Sequence, residues 1–441
     1  MPKIIIANTF SPEILSDFDT CTDEDFLASG HYAQGLLWSA EEDDVLVLPT
    51  APGPDFARYA ARLMGLDPSR VHVTVPERGL MPEGLLSPDT LLDPPFTARL
   101  ARLAGPAAHV WPYYYDRMSA EATHALGLTR STPGFGYVDE GGARLLNSKA
   151  NFRAIAAGNG LPVPPGIATA DRTTAVDYAR QALASHGAVM VKQDYNAGGF
   201  GNEIITLDHQ RRTGTRNATV LAHHDDVHGH FDAQWDTYTN GGRDRVVIEL
   251  YIEDCVPVYR EMHLTPAGVE AFGHGEMLMN PAYDGLALPG RAGDRSRNPD
   301  FFDGAERIAE VVHAMGYRGL MSVDALLTPS GGVLFNEFNC RNGGSTHIHR
   351  IGQRVIGGDP LADRTVLVRR IPAPLPFAEL VERLEEQGLA FDPGRRTGVV
   401  LATDVAPDGK VQYCAVARTA EEADALERLL PAAFGHGRKA A

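Results

Sequence analysis

Apolar and polar positions along the first 130 residues alternate between strand-like and helix-like patterns. Four short apolar runs have the length and composition of β-strands, at 3–7, 44–48, 71–75 and 109–111. Between them, residues 56–64 and 96–104 show the apolar spacing of amphipathic helices. Because strands that alternate with helices favour a parallel sheet, we predict an N-terminal α/β domain at 1–130.

The most informative pattern lies at 320–338, where two apolar strands flank a glycine-containing turn at 328–332. This arrangement predicts an antiparallel hairpin. Side chains alternate faces along a strand, so Glu337 and Asn339 share a face that Asp324 on the partner strand can reach. Two carboxylates and one amide oxygen form an oxygen-only ligand set, which suits Mg²⁺ beside phosphates. The alternative is a surface hairpin with a charged outer face.

Basic side chains stand beside three features of the central region. Arg341, two residues after Asn339, offers a planar pair of donors for phosphate or carboxylate oxygens. Lys149 lies in the first turn of a predicted helix, and helix N-termini favour anions. Lys192 ends a predicted strand before a glycine-rich loop, whose flexible backbone can approach phosphates closely. That loop contains Gly198, Gly199, Phe200 and Gly201. Taken singly, a solvated lysine and a hairpin turn without function remain the alternatives.

Residues 245–254 are predicted to form a buried strand that ends in acidic side chains. In a nucleotide site, the edge of such a strand can pair its backbone with adenine, and a following acid can bind the ribose hydroxyls. The residues concerned are Glu249, Leu250, Tyr251, Ile252, Glu253 and Asp254. An ordinary strand that ends in a loop is the alternative.

Two polar stretches of the central region have weaker implications. Arg291, Arg295 and Arg297 form a local basic set in an acidic chain, which suits either an anionic group or a solvated loop. Residues 221–232 are rich in His and Asp, but their spacing fits no closed tetrahedral metal site. We therefore predict a solvated or pH-sensitive loop there.

After residue 356 the chain continues for about eighty residues with its own pattern of strands and helices. The predicted elements are helices at 377–388 and 420–430 and strands at 397–402 and 410–417. We therefore divide the chain into three parts, at 1–130, 131–356 and 357–441. The last part is predicted to be a small α+β domain that closes over the site or serves in oligomerisation.

Composition narrows the class of protein further. The 441 residues carry a formal net charge of −17, which argues against nucleic acid or an anionic membrane as the main partner. No apolar run approaches the length of a membrane span, and residues 1–6 are predicted to be a strand rather than a signal peptide. The four cysteines are scattered and form no metal or redox motif. We expect a cytoplasmic enzyme, alone or as a homo-oligomer.

Taken in order, Lys149, Lys192, the glycine loop, Glu249 and the motif from Glu337 to Arg341 resemble the ATP-grasp superfamily. The resemblance covers roughly residues 130 to 356 and depends on residue types, order and spacing. The whole chain is similar to the ATP-grasp peptide ligases of pheganomycin biosynthesis, which join a guanidino-bearing phenylglycine derivative to a ribosomally made peptide. The fold that this resemblance implies is a multidomain α/β and α+β protein, with an ATP-grasp fold between an N-terminal α/β domain and a small C-terminal domain.

The resemblance also implies a two-step reaction with ATP and Mg²⁺ as cofactors. A carboxylate donor attacks the γ-phosphate to give an acylphosphate and ADP, and the amine of a peptide acceptor then displaces phosphate to form an amide. No covalent enzyme intermediate is needed, so catalysis would depend on positioning and charge neutralisation.

Each candidate residue takes its role from the same resemblance. Lys149, Lys192 and the loop 198–201 would bind the ATP phosphates, Glu249 and the backbone of 250–252 would meet adenine, and Glu253 or Asp254 would bind the ribose. Asp324, Glu337 and Asn339 would hold Mg²⁺, with Arg341 and Lys192 as the catalytic residues. Ser322 stands where D-alanine ligase-type relatives have a carboxylate-binding arginine. Substrate binding is therefore assigned to Arg291, Arg295, Arg297 and Ser345.

Three other functions stay open at this point. The first is a carboxylate–amine ligase whose acceptor is a small amine such as an amino acid. The second is a phosphotransferase that uses the same nucleotide site on a hydroxyl group. The third is a nucleotide-binding module without catalysis, which the presence of both lysines and all three metal-ligand positions disfavours.

Overall fold

The computed structural model describes residues 1–16, 18, 21–196 and 199–435. Its N-terminal sheet is parallel, with the order β3-β2-β1-β4. These strands are β1 (Lys3–Ile6), β2 (Val45–Val47), β3 (His72–Thr74) and β4 (His109–Pro112). The helices of this part are α1 (Asp23–Tyr32), α2 (Pro54–Met64), α3 (Pro88–Leu91), α4 (Pro94–Ala104) and α5 (Arg117–Ala125), with 3-10 turns at Ala33–Ser39 and Pro68–Arg70. The predicted parallel α/β arrangement is confirmed.

A second sheet has five strands in the order β5-β9-β6-β7-β8. Its strands are β5 (Gly166–Thr169), β6 (Ala188–Gln193), β7 (Asn202–Thr206), β8 (Asn217–Val220) and β9 (Val246–Leu250). The helices of this part of the chain are α6 (Phe135–Asp139), α7 (Gly142–Leu145), α8 (Lys149–Gly158), α9 (Arg172–His186) and α10 (Val227–Thr239), with a 3-10 turn at His224–Asp226. The glycine-rich loop connects β6 to β7, as the sequence predicts.

The third sheet has eight strands in the order β14-β13-β10-β11-β12-β15-β17-β16. They are β10 (Val256–Thr265), β11 (Gly268–Met279), β12 (Tyr283–Leu288), β13 (Gly319–Leu327), β14 (Val333–Asn339), β15 (Thr365–Pro372), β16 (Gly398–Leu401) and β17 (Lys410–Ala417). The remaining helices are α11 (Pro299–Ala314), α12 (Thr346–Ile351), α13 (Pro360–Asp363), α14 (Phe377–Glu386) and α15 (Ala420–Ala433), with a 3-10 turn at Gly290–Ala292 and a π-helical turn at Gly352–Ile356. No helix in the described ranges combines the length and the apolar character needed to cross a bilayer.

The strands that follow residue 356 continue the same sheet that carries the predicted metal hairpin. β15 pairs antiparallel with β12, where Leu286 lies opposite Val368. One apolar core then spans this region and the N-terminal part, with Phe56 and Tyr59 packed against Phe377. The proposed boundary at 356 therefore does not separate two sheets, because β12 before it pairs with β15 after it. The apolar core also continues across this boundary.

The prediction of a loop at 221–232 is wrong. Only the start of this stretch is irregular, and helix α10 begins at Val227. Val227, Phe231 and Tyr238 are buried in one cluster with residues of α9 and the five-stranded sheet. The first two stand four residues apart and so share a helix face. The many His and Asp residues between them obscure this apolar period in the sequence.

Candidate active site

The hairpin of β13 and β14 brings the three predicted metal ligands together. Asp324 lies directly opposite Glu337, and Asn339 lies opposite Ser322. The Asn339 amide nitrogen is 3.3 Å from Glu337 Oε1 and 3.4 Å from Asp324 Oδ2. The three side chains therefore converge on one face of the eight-stranded sheet.

The charges around Asp324 and Glu337 favour a divalent cation at this place. Burial raises the pKa of Asp324 well above its usual range, and the neighbouring Glu337 charge adds to the rise. Burial acts in the same direction on Glu337, but Lys149, Lys192 and Arg341 outweigh it and hold the pKa of Glu337 below its usual range. One carboxyl thus ionises readily, while the other needs further positive charge nearby.

This donor set fits Mg²⁺. The three side chains offer only oxygen ligands once the Asn339 amide turns its oxygen towards the carboxylates, and hard divalent cations prefer oxygen. A bound ion would supply the positive charge that Asp324 needs in order to ionise. Asp324, Glu337 and Asn339 are therefore the residues that would hold it.

Helix α8 begins at Lys149 because the preceding side chain caps it. Ser148 Oγ accepts a hydrogen bond from the Asn151 amide at 3.1 Å. Asp194, just after β6, accepts from the Ala150 amide at 2.8 Å and from Ser148 Oγ at 2.7 Å. The amides of the first turn are thus satisfied within the protein. An anion bound at this place would therefore meet the Lys149 ammonium rather than free amides of the helix N-terminus.

The Lys149 ammonium connects the metal hairpin to the glycine-rich loop. It lies 3.7 Å from Glu337 Oε2 and donates to the carbonyl oxygen of Asn196 at 2.8 Å. Asn196 is the residue from which the loop departs. Burial lowers the pKa of Lys149, although the Glu337 charge opposes this effect. A phosphate group would give this buried ammonium a second anionic partner.

Glu249, on the five-stranded sheet, pairs with two cations. Its Oε2 lies 2.6 Å from Lys192 Nζ, and its Oε1 lies 2.5 Å from Arg153 Nη1. Sequence reasoning missed Arg153. The signal was available, because Arg153 follows Lys149 by four residues on α8 and therefore lies on the same helix face. Sequence reasoning also gave no partner to Arg341, whose Nη1 donates to Asn147 Oδ1.

The glycine-rich loop is partly described. Gly198 lies outside the described residues. Gly199 adopts φ +77°, a left-handed conformation that favours glycine, and Phe200 is 55% exposed. A Cβ atom added at Gly201 would lie 2.6 Å from Asn196 Cβ, so only glycine fits this close approach. The loop therefore packs against the residue that binds the Lys149 ammonium.

The residues predicted to bind adenine and ribose lie at the end of β9. The amides of Leu250 and Tyr251 donate to carbonyl oxygens of neighbouring segments, at 2.8 and 3.3 Å. Both amides are thus occupied within the protein. Of the three backbone positions predicted to meet adenine, Ile252 is the one that remains for this contact. Glu253 accepts from Arg212 Nε at 2.9 Å, and Asp254 has φ +55°. Both acids stay predictions for the ribose.

The structure does not bring the predicted substrate arginines to this face. Arg291 donates to Glu276, whose register in the sheet places it on the face opposite to Asp324. Arg295 pairs with acidic side chains of α11, and Arg297 is exposed. A carboxylate bound at the metal face must therefore be recognised by other residues.

Ser345, in contrast, does reach the metal face. Its hydroxyl donates to Glu261 Oε1, and the Thr346 hydroxyl lies 3.2 Å from both oxygens of the same carboxyl group. Glu261 pairs with Ser322 on β13, so its side chain stands on the same face as Asp324. Burial raises the pKa of Glu261 to about 7.

Comparison with known proteins places this geometry in a family context. Residues 33–128 match the family model for the pre ATP-grasp domain, and residues 379–430 match that for the PGM1 C-terminal domain. A curated relative, the L-propargylglycine–L-glutamate ligase of Streptantibioticus cattleyicolor, is 26% identical over 350 residues. The match covers 71% of this chain and 68% of the relative.

Solved structures match this chain over nearly its whole length. An ADP complex of N5-carboxyaminoimidazole ribonucleotide synthetase has a TM-score of 0.55 at 14% identity. The match covers 93% of this chain and 95% of the synthetase chain. The biotin carboxylase domain of the Hydrogenobacter thermophilus 2-oxoglutarate carboxylase, in complex with MgADP, has a TM-score of 0.56 at 14% identity. The match covers 98% of this chain and 92% of that domain's chain.

The chain has the ATP-grasp fold. The predicted fold class is confirmed, and the family-model match and the curated relative agree with the predicted ATP-grasp ligase. The solved neighbours with ADP and with MgADP agree with the predicted cofactors. In this ATP-grasp protein the pre ATP-grasp match falls within the predicted N-terminal domain. The individual site residues stay predictions, which the geometry above makes testable.

Proposed function

We propose that this ATP-grasp protein joins the carboxylate of a nonproteinogenic amino acid to an amine through an acylphosphate. The observation that carries the proposal is the convergence of Asp324, Glu337 and Asn339 with Lys149 and Arg341 on one sheet face. Two carboxylates and the three cations Lys149, Lys192 and Arg341 in a largely buried site suit a metal–triphosphate group and the negative charge that develops on phosphoryl transfer.

The residues have distinct tasks in this reaction. Mg²⁺, when bound, neutralises charge on the phosphates. Lys149 and Lys192 hold the phosphates, and the loop between β6 and β7 covers the γ-phosphate. Arg341 orients the donor carboxylate for attack and stabilises the acylphosphate that results. The acceptor amine then attacks the acyl carbon, phosphate leaves, and the amine loses its proton.

The identity of the donor and of the acceptor is a further part of the proposal. We propose a guanidino-phenylglycine-like donor and the N-terminus of a peptide as acceptor, in the biosynthesis of a peptide antibiotic. The resemblance of the sequence to the pheganomycin-type peptide ligases supports this version. The second candidate is a single amino acid as acceptor, which the name of the L-propargylglycine–L-glutamate ligase favours. A peptide needs an open groove, whereas an amino acid needs a closed pocket.

Product analysis tests the proposal. The protein is incubated with ATP, Mg²⁺, a guanidino-phenylglycine acid and either a short peptide or glutamate, and hydroxylamine is added to a parallel reaction to trap an acylphosphate. Coupled product with ADP in equal amount supports ligation, and the acceptor that reacts decides between the two candidates. A phosphorylated hydroxyl compound without amide would mean a phosphotransferase.

Matched variants locate the activity. Glu337→Gln removes one ligand charge from the metal face and should abolish ADP formation. Glu276→Gln changes a buried glutamate of the same sheet on the opposite face and should retain it. Loss of activity in both variants, or in neither, would contradict the placement of the reaction at the hairpin.

A further inference from the structure

A cavity lies on the same face of the eight-stranded sheet as the metal ligands. It has a volume of about 120 Å³ and is bounded by β4, the end of β10 and the start of β13. Its walls include the aromatic side chains of Trp111, Tyr113, Tyr115 and Tyr317. An apolar cavity of roughly 150 Å³ in another protein holds a benzene molecule, so this cavity is close to the size of one six-membered ring.

The register of the strands relates the cavity to the reaction site. Leu320, which lines the cavity, lies four residues before Asp324 on β13, so both side chains stand on the same face. Four residues of a strand span about 13 Å. Leu320 pairs with His263 of β10, which lines the cavity as well. The cavity therefore lies about 13 Å along the sheet from the metal ligands.

Arg341 stands between the two. Its side chain lines the cavity, and its charge also acts on the carboxyl groups of Asp324 and Glu337. A carboxylate bound to this guanidinium would therefore have the metal and phosphate groups on one side and the aromatic walls on the other. This is the arrangement that a carboxylate needs in order to attack ATP while its side chain is buried.

The charges around the cavity point to the class of ligand. Its described lining contains two guanidinium groups, of Arg318 and Arg341, and no Asp or Glu. Burial lowers the pKa of His109 and of His263, so both rings are neutral at neutral pH. A cationic side chain would find no counter-charge inside. An anionic molecule with a neutral ring is compatible with both the guanidinium groups and the aromatic walls.

We propose that this cavity is the side-chain pocket for the carboxylate substrate, and that it takes a single neutral aromatic ring while Arg341 binds the carboxylate. The inference deepens the proposed ligase function and rests on it. It also implies that any cationic group of the donor lies outside the cavity, on the α-carbon side of the ring.

The test compares an aromatic donor with an aliphatic donor. Phenylglycine and propargylglycine are supplied separately with ATP, Mg²⁺ and hydroxylamine, and kcat/KM for hydroxamate formation is measured for each. His263→Trp fills the cavity and should lower the phenylglycine-to-propargylglycine ratio at least tenfold. His263→Ala enlarges the cavity and should raise the ratio of naphthylglycine to phenylglycine. His209→Trp, at an exposed position, adds the same indole elsewhere and serves as the matched control.

The outcomes separate this inference from the proposed function. If neither donor ratio changes in the His263 variants, the proposed pocket is wrong, because the choice of donor then does not depend on the volume of the cavity. Calorimetric titration with phenylglycine in the absence of ATP gives a second readout. Phenylglycine binding that His263→Trp weakens, with no hydroxamate from any donor, would keep the pocket and reject the ligase. Hydroxamate formation from both donors, with an equal loss of kcat/KM for both in His263→Trp, would keep the ligase and reject the pocket.

Discussion

Glu261 is a buried carboxyl group that should make the stability of the protein depend on pH. The side chain is 1% exposed, and its partners are the hydroxyl groups of Ser345 and Thr346 rather than a cation within ion-pair distance. Burial raises its pKa from 4.5 to about 7, although both hydroxyl groups and the more distant Arg350 act in the opposite direction. Glu261→Gln keeps the shape of the side chain and removes the ionisation.

The sign and size of the effect follow from linkage. Because the folded protein binds this proton more tightly than the unfolded chain, the group favours folding fully below pH 4.5 and loses that contribution as pH rises through about 7. A difference of about 2.5 pKa units corresponds to about 3 kcal/mol. The free energy of unfolding of Glu261→Gln should therefore rise relative to the wild type by up to about 3 kcal/mol between pH 4.5 and pH 8.

Urea denaturation followed by tryptophan fluorescence, at several pH values from 4.5 to 8, measures this difference. Glu276→Gln is the control, because Glu276 is similarly buried but paired with the guanidinium of Arg291. The Arg291 side chain is 66% exposed and stays solvated without this carboxylate, so the replacement should change the free energy of unfolding little. Parallel stability curves for the wild type and Glu261→Gln would refute the reasoning.

Three further variants test the proposed site. Glu337→Gln should abolish ligation and leave the fold intact, because the metal loses a ligand charge; turnover and circular dichroism check this. Arg341→Ala should lower kcat by roughly 10²–10³, as expected when a donor to a developing charge is removed. Gly201→Ala should displace Asn196, whose carbonyl oxygen binds Lys149, and should lower turnover more than the affinity for ATP measured by calorimetry.

Each of these results has a clear opposite. Normal turnover in Glu337→Gln would remove that residue from the metal site. A change in KM alone for Arg341→Ala would assign the guanidinium to substrate binding without a role in the transition state. Equal losses of turnover and ATP affinity in Gly201→Ala would mean that the loop contributes binding rather than closure over the γ-phosphate.

The sequence alone determined the local elements with strong patterns. The hairpin around Asp324 and Glu337 was predictable because alternation and a glycine turn act over a few residues. The helix after Ser148 was predictable for the same reason, since a cap is a local interaction. The order of lysines, glycines and acids then indicated the ATP-grasp fold. The helix at Val227–Thr239 was missed because charged residues hide its apolar period.

Only the tertiary structure decided which residues meet. Arg291 and Ser345 both looked suited to bind a substrate, but the register of β10 and β11 turns Arg291 away with Glu276, and the turn after β14 brings Ser345 to Glu261. The cavity beside Arg341 is formed by β4, β10 and β13, which are far apart in the chain and share no local sequence pattern. Strand order and burial are properties of the whole chain, because they depend on long-range packing.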